Sequence, residues 1–173
     1  MLNDFYLSSR ELTPLTLGVI VQYDQYGNPN ACILEEEKEY AIKASPTKVI
    51  DEACRFFGSS LRGRQDGTKD ICDITHKAPI AVDPVSGMYF FPTYSPNSSK
   101  CSWIAHSHIE HVNKREDKQT EITFKNKRSV ILDVSYGSIL NQVQRTAQFR
   151  YLLDNRIKYL LEQNPKQVAE PFA

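Results

Sequence analysis

The sequence predicts an α+β protein: short antiparallel β-sheet elements, one or two helices near the middle of the first half, and a long C-terminal helix. Three observations predict it. β-Branched and aromatic runs of four to eight residues, such as TLGVIVQY, recur between turn residues. An apolar stripe at helical spacing follows Ser45-Pro46. A longer helical repeat runs from Ser138 to about Gln163.

Met1 to Pro14 reads as a leader without strong pattern, residues 15–164 as one domain, and 165–173 as a short tail. Thr16–Tyr23 is the first strand, and Tyr26-Gly27-Asn28-Pro29 is turn chemistry. Ala31–Leu34 and Tyr40–Lys43 complete an antiparallel three-stranded meander, with Glu35–Glu39 (EEEKE) as a solvated loop. Ser45 is placed to cap a helix with Pro46 at its first position. Val49, Ile50, Ala53, Cys54 and Phe57 form the inner stripe of that helix, and Gly58 stops it. For Ser59–Gly67 a short helix over Leu61–Gln65 competes with an ordered loop, and the helix is the expectation. Pro79–Asp83 and Met88–Phe91 pair around Asp83-Pro84-Val85-Ser86-Gly87. Thr93–Lys100 is a Ser/Pro/Asn loop. Ser102–Ile109 alternates as a strand, with Trp103 as a core anchor and His106 and His108 on the opposite face. Glu121–Phe124 and Ser129–Val134 form a hairpin with the basic tip Lys125-Asn126-Lys127-Arg128. In the last helix, Ile139, Val143, Ala147, Leu153, Ile157 and Leu160 make the core stripe; Phe149, Leu152 and Tyr159 mark a second surface suited to a dimer contact.

The formal net charge is zero, but the halves differ. Residues 1–54 hold nine acids and four bases, so the remaining twelve acids and seventeen bases lie in residues 55–173. Such asymmetry is a weak pointer to nucleic acid or membrane. No signal peptide opens the chain and no run approaches the ~18 apolar residues of a transmembrane helix. Cysteines 32, 54, 72 and 101 form no C-x-x-C pair, which fits reduced thiols in a cytoplasmic protein.

Cys54–Pro84 concentrates the chemistry. It holds adjacent aromatics, a Gly/Ser turn, Arg62-Gly63-Arg64, and His76-Lys77. Glycines 58, 63 and 67 give backbone freedom, and arginine forks match phosphate oxygens. The expected DNA-binding residues are Arg55, Arg62, Arg64 and Lys77 here, with Arg145 and Arg150 from the long helix. Lys69, Lys125, Lys127, Arg128 and Arg156 form a wider basic set, for which a solvated surface is the plain alternative. Cys101, His106, His108 and His111, with Glu110 as a base, could bind zinc, yet the spacing matches no common finger or zincin. Histidines on a half-exposed strand more often only hydrogen-bond. No nucleophile elbow, P-loop or dinucleotide fingerprint is present.

Five ordered blocks resemble the competence transcription factor (ComK) family: CRFFGSSLRGRQDGT, ITHKAPIAVDP, FFPT, CSWIAHSHI and NQVQRTAQFR. The resemblance spans about Leu17 to Leu153. It implies a bacterial transcriptional activator of competence genes, which serve DNA uptake and transformation. It further implies binding to paired A·T-rich promoter boxes, largely through the minor groove, by dimers that assemble in pairs. The implied partners are double-stranded DNA, further copies of the chain, RNA polymerase and a proteolytic adaptor; no cofactor and no catalytic residue are implied. Some relatives carry a longer aromatic C-terminal tail, and the chain ending at Glu170-Pro171-Phe172-Ala173 puts adaptor control in doubt. A zinc-dependent enzyme using His106, His108 and His111, and a non-DNA regulatory interaction module, are the alternatives.

Overall fold

A computed structural model of the chain describes residues 12–163; Met1–Glu11 and the expected tail lie outside the described residues. Among the described residues nine strands and three α-helices follow in order. They are β1 (Thr16–Tyr23), β2 (Pro29–Glu35), β3 (Glu39–Ile42), α1 (Pro46–Phe56), α2 (Leu61–Cys72), β4 (Ile80–Asp83), β5 (Met88–Pro92), β6 (Trp103–Ala105), β7 (Ile109–Lys114), β8 (Thr120–Phe124), β9 (Ser129–Leu132) and α3 (Tyr136–Gln163). The class is α+β, as the patterning implies.

Six antiparallel strands make the main sheet in the order β3-β2-β1-β6-β5-β4; β7-β8-β9 make a second sheet. Alternation of side chains splits the main sheet into two faces. On one face, Val19, Ile33, Ile80, Phe90 and Trp103 pack with Val49, Ile50, Ala53 and Cys54 of α1. On the other, Leu17, Phe91 and Ile104 meet Ile122, Phe124 and Leu132 of the second sheet and Ile139 of α3. Next to them, Ala81 and Tyr89 pack against Phe149. Leu12, read as part of a featureless leader, is 2% exposed and belongs to the α1-side core.

Capping follows the sequence closely. Ser45 Oγ accepts from the Lys48 amide, with Pro46 opening α1. Gly58, at φ +82°, follows α1 and sends its amide back to Arg55. Ser60 Oγ accepts from the Gly63 amide and starts α2. Ser135 does the same for Ser138, which moves the start of α3 back to Tyr136.

Three expectations change. The helix expected over Leu61–Gln65 continues to Cys72, where Asp73 turns left-handed at φ 58°. Gly63 and Gly67 are therefore helical and do not loosen the backbone. Gly63 has a packing reason instead: a Cβ there would sit 2.9 Å from Ser59 Oγ, inside the cap. The single strand expected over Ser102–Ile109 splits into β6, a 3-10 turn at His106–His108, and β7, so the chain passes from one sheet to the other. The inner stripe of α3 is Ile139, Gln142, Thr146 and Phe149, while Ala147 is exposed. Phe149 thus faces the core and not a second surface. Two polar residues entered the stripe because backbone carbonyls await them there: Gln142 Nε2 donates to Pro92 O at 2.7 Å, and Thr146 Oγ1 to Gln142 O at 2.6 Å.

The crossover carries a testable consequence. Burial, then the charges of Arg150 and Lys125, lower the His106 pKa from its ordinary 6.5. A depressed histidine pKa means the unfolded chain binds more protons than the folded one. Stability is then full above pH ~6.5 and falls as pH drops through and below that value. Urea midpoints at pH 7.5 and 5.5 are expected to separate more for the wild type than for His106→Asn; equal separations would refute the assignment.

Candidate nucleic-acid interface

The six cations expected to bind DNA fall into three environments. Arg55 and Arg62 stand on the outside of α1 and α2. Arg55 Nε donates to Asp51 Oδ2 at 2.9 Å, one helical turn back. Asp51 also accepts from the Leu61 amide at 2.9 Å. Burial alone would raise its pKa, but these two donors hold it below the usual value. The carboxylate thereby joins the end of α1 to the start of α2. Arg62 is exposed and has no hydrogen bond or ion pair among the described residues. With Lys48 and Gln65 it lines an open cleft of about 590 Å³, closed opposite by Pro96, Asn97 and Ser98.

Arg64, although it shares the neighbour Gly63 with Arg62, points inward. Its Nη2 donates to Val82 O at 3.3 Å, and its Nε is buried without a partner. Half-buried Arg145 spends its fork on the fold: Nη1 to Gln142 Oε1 at 2.7 Å and Nη2 to His76 O at 2.6 Å. Arg150 is likewise engaged, with Nη1 on Ser107 Oγ at 2.8 Å and its guanidinium 5.1 Å from the centre of the Tyr89 ring. The Tyr89 hydroxyl donates to Asp154 Oδ1 at 2.7 Å, and burial followed by this carboxylate raises its pKa. Lys77 sits between α2 and β4 in a left-handed conformation, φ 48°. Its ammonium makes no hydrogen bond or ion pair among the described residues; its carbonyl accepts from Gln142.

The wider basic set divides the same way. At the hairpin tip, Arg128 Nη1 donates to Glu35 O at 2.7 Å and Nη2 to Glu39 Oε2 at 2.9 Å. Asn126 Nδ2 donates to Glu36 O at 2.9 Å. The acidic turn of the first half and the basic tip of the second half are therefore docked together. One opposite-charge pair between the halves, Arg128 with Glu39, closes there. Lys127 pairs with Glu110, and Arg156 lies 3.3 Å from Asp70. Lys69 and Lys125 stay without ion-pair partners among the described residues; on the outer face of α2, Asp66 and Asp70 interrupt the cations.

The candidate zinc set does not assemble. No three His, Cys, Asp or Glu side chains converge to hold a metal among the described residues. Cys101 is 1% exposed in the α1-side core, His108 Nε2 lies 2.6 Å from Pro14 O, and His111 is exposed on β7. The 3-10 turn is the physical reason, because it removes the strand alternation that would have put His106 and His108 on one face. All four cysteines are free thiols, and burial pushes Cys54 up to about 12. No helix among the described residues is long and apolar enough to cross a membrane.

Sequence reasoning missed Gln142. An amide inside a helical stripe carries no local signal, and its role shows only once Lys77 and Pro92 are beside it.

No solved structure matches this chain. The competence transcription factor of Bacillus subtilis (strain 168) is 35% identical over 169 residues, covering 98% of this chain and 88% of that protein. The sequence profile described as ComK protein matches residues 8–158, which takes in every described strand and all but the end of α3. Near-complete coverage by both comparisons places the chain in the ComK family.

Proposed function

We propose that the protein is a DNA-binding transcriptional activator of competence genes that engages A·T-rich promoter boxes, largely from the minor-groove side. It works in the cytoplasm, with no catalytic role. The observation that carries this reading is the similarity to a competence transcription factor along 98% of the chain. The geometry favours Arg62 and Lys77 as direct phosphate or groove contacts, because their charged groups have no partner among the described residues; Arg55, exposed on α1 and paired only with Asp51, is a further candidate. Arg64, Arg145 and Arg150 are engaged within the fold, on Val82 O, His76 O and Ser107 Oγ. A footprint on a promoter with two A·T boxes, repeated with a minor-groove ligand, tests the reading. Displacement by the ligand is expected; protection that ignores the ligand rules out minor-groove docking.

A homo-oligomer completes the reading. Beyond Leu153 the long helix leaves the core, and Ile157, Leu160 and Leu161 continue it with Tyr159. Leu160 is 65% exposed, and Leu161, 45% exposed, lines an open groove with Ile157 and with Val85, which is 88% exposed. Leu153, Ile157 and Leu160 repeat at four and three, the spacing of a helix-pairing seam, and a second copy of the chain is the occupant we assign. Leu160→Glu with Leu161→Glu is expected to shift the protein to monomer in sedimentation at unchanged thermal stability. A dimer that persists would move the contact elsewhere.

A further inference from the structure

The segment Asp73–Pro79 joins α2 to β4 and holds Lys77, whose ammonium has no partner among the described residues. It crosses two left-handed residues, Asp73 at φ 58° and Lys77 at φ 48°. Non-glycine residues adopt that conformation only when their surroundings fix it. Asp73 is the C-cap of α2, its amide donating to Lys69 O, and around Lys77 the surroundings are side chains of two helices. From α2, Thr68 Oγ1 donates to Pro79 O at 2.7 Å. From α3, Gln142 Nε2 donates to Lys77 O at 2.9 Å and Arg145 Nη2 to His76 O at 2.6 Å. Arg145 Nη1 then locks the Gln142 amide by donating to its Oε1 at 2.7 Å. Two consecutive carbonyls of the segment are thus held by one pair of side chains. Gln142 is 1% exposed, and its second donor reaches Pro92 O of β5, so the pair is referenced to the main sheet.

We propose that Gln142 and Arg145 are positioning residues for DNA binding: they clamp the His76 and Lys77 carbonyls so that the Lys77 ammonium is presented in one fixed place. This rests on the DNA-binding reading above. It assigns Arg145, whose charge alone would suggest a phosphate contact, to a different task. A guanidinium suits it, because its planar fork reaches the two acceptors from two separate nitrogens held in fixed geometry, whereas an ammonium would have to reach both from one nitrogen on a shorter, flexible stem.

The test is a cycle of Lys77→Ala, Arg145→Lys and the double variant, read as DNA affinity against salt concentration. Each phosphate contact adds about 0.9 to the slope of log affinity against log salt. Lys77→Ala is expected to make the slope shallower by about that amount. Arg145→Lys keeps the charge but opens the clamp, so it is expected to act like Lys77→Ala, and the double variant no worse than either. Amide exchange of residues 74–78 is expected to quicken in Arg145→Lys. A wild-type slope in Arg145→Lys, or losses that add in the double variant, would make Arg145 an independent contact and overturn the proposal. Wild-type protein with no salt-sensitive affinity would instead overturn the DNA reading itself, before the cycle is run. Should Arg145→Lys fold poorly, Gln142→Met removes the other half of the clamp, the Gln142 amide, at similar volume. It is expected to give the same shallow slope, and a wild-type slope in it refutes the clamp.

Discussion

Trp103→Ala is expected to cost about 3–5 kcal/mol of stability, the range seen for deleting a large buried aromatic. Trp103 is 0% exposed and lies in β6, the short strand between β1 and β5, opposite Val19 on one side and Pro92 on the other. Its ring fills the space between the main sheet and α1, touching the cluster that holds Val49, Ile50 and Cys54. Its Nε1 donates to Thr47 Oγ1 at 3.1 Å, and Thr47 Oγ1 donates onward to Pro96 O at 2.7 Å. The side chain therefore supports the sheet, the first turn of α1 and the Pro96 loop together. Trp103→Phe keeps most of the apolar volume and loses the indole donor, for a cost of about 1–2 kcal/mol. Against a typical total of about 5–15 kcal/mol, the alanine variant loses a large share of its folding free energy and the phenylalanine variant a small one. Urea midpoints of the two variants check this. Equal midpoints would mean that Trp103 does not anchor the core.

Local rules made Trp103 readable in advance, and their limits show where the sequence stopped being readable. Strands β1 to β5 and both caps of the first helices depend on alternation, turn residues and Ser-Pro geometry, all within a few residues of one another. The crossover at His106–His108 does not, because what bends it is the presence of a second sheet partnered by β8 and β9. The length of α2 was hidden for a related reason. Two glycines and a polar composition weigh against a helix, and its support comes from α1, β4 and α3. Individual cations were the least readable of all. Arg145 reaches His76, 69 positions away, and Arg128 reaches Glu35, 93 positions away. Charge in a sequence shows that a cation exists, while only the fold shows whether it is already spent.

Arg62 and Arg64 give that distinction its clearest measurement, since a single glycine separates them in the chain and the protein separates them in role. Arg62→Ala is expected to leave the urea midpoint unchanged and to weaken DNA binding roughly ten-fold or more, with a salt slope shallower by about 0.9. Arg62 is exposed at a cleft shared with Lys48 and Gln65, and its guanidinium makes no hydrogen bond or ion pair among the described residues. Arg64→Ala is expected to do the reverse. Its stem and buried Nε fill the seam between α2 and β4, and its Nη2 holds the Val82 carbonyl. Removing it exposes that carbonyl and the seam, at a cost of about 1–2 kcal/mol, with the salt slope kept. The two readouts are independent, so each variant serves as the control for the other. A loss of slope in Arg64→Ala at wild-type stability would put both arginines on the DNA side and return the Arg-Gly-Arg element to a single binding role.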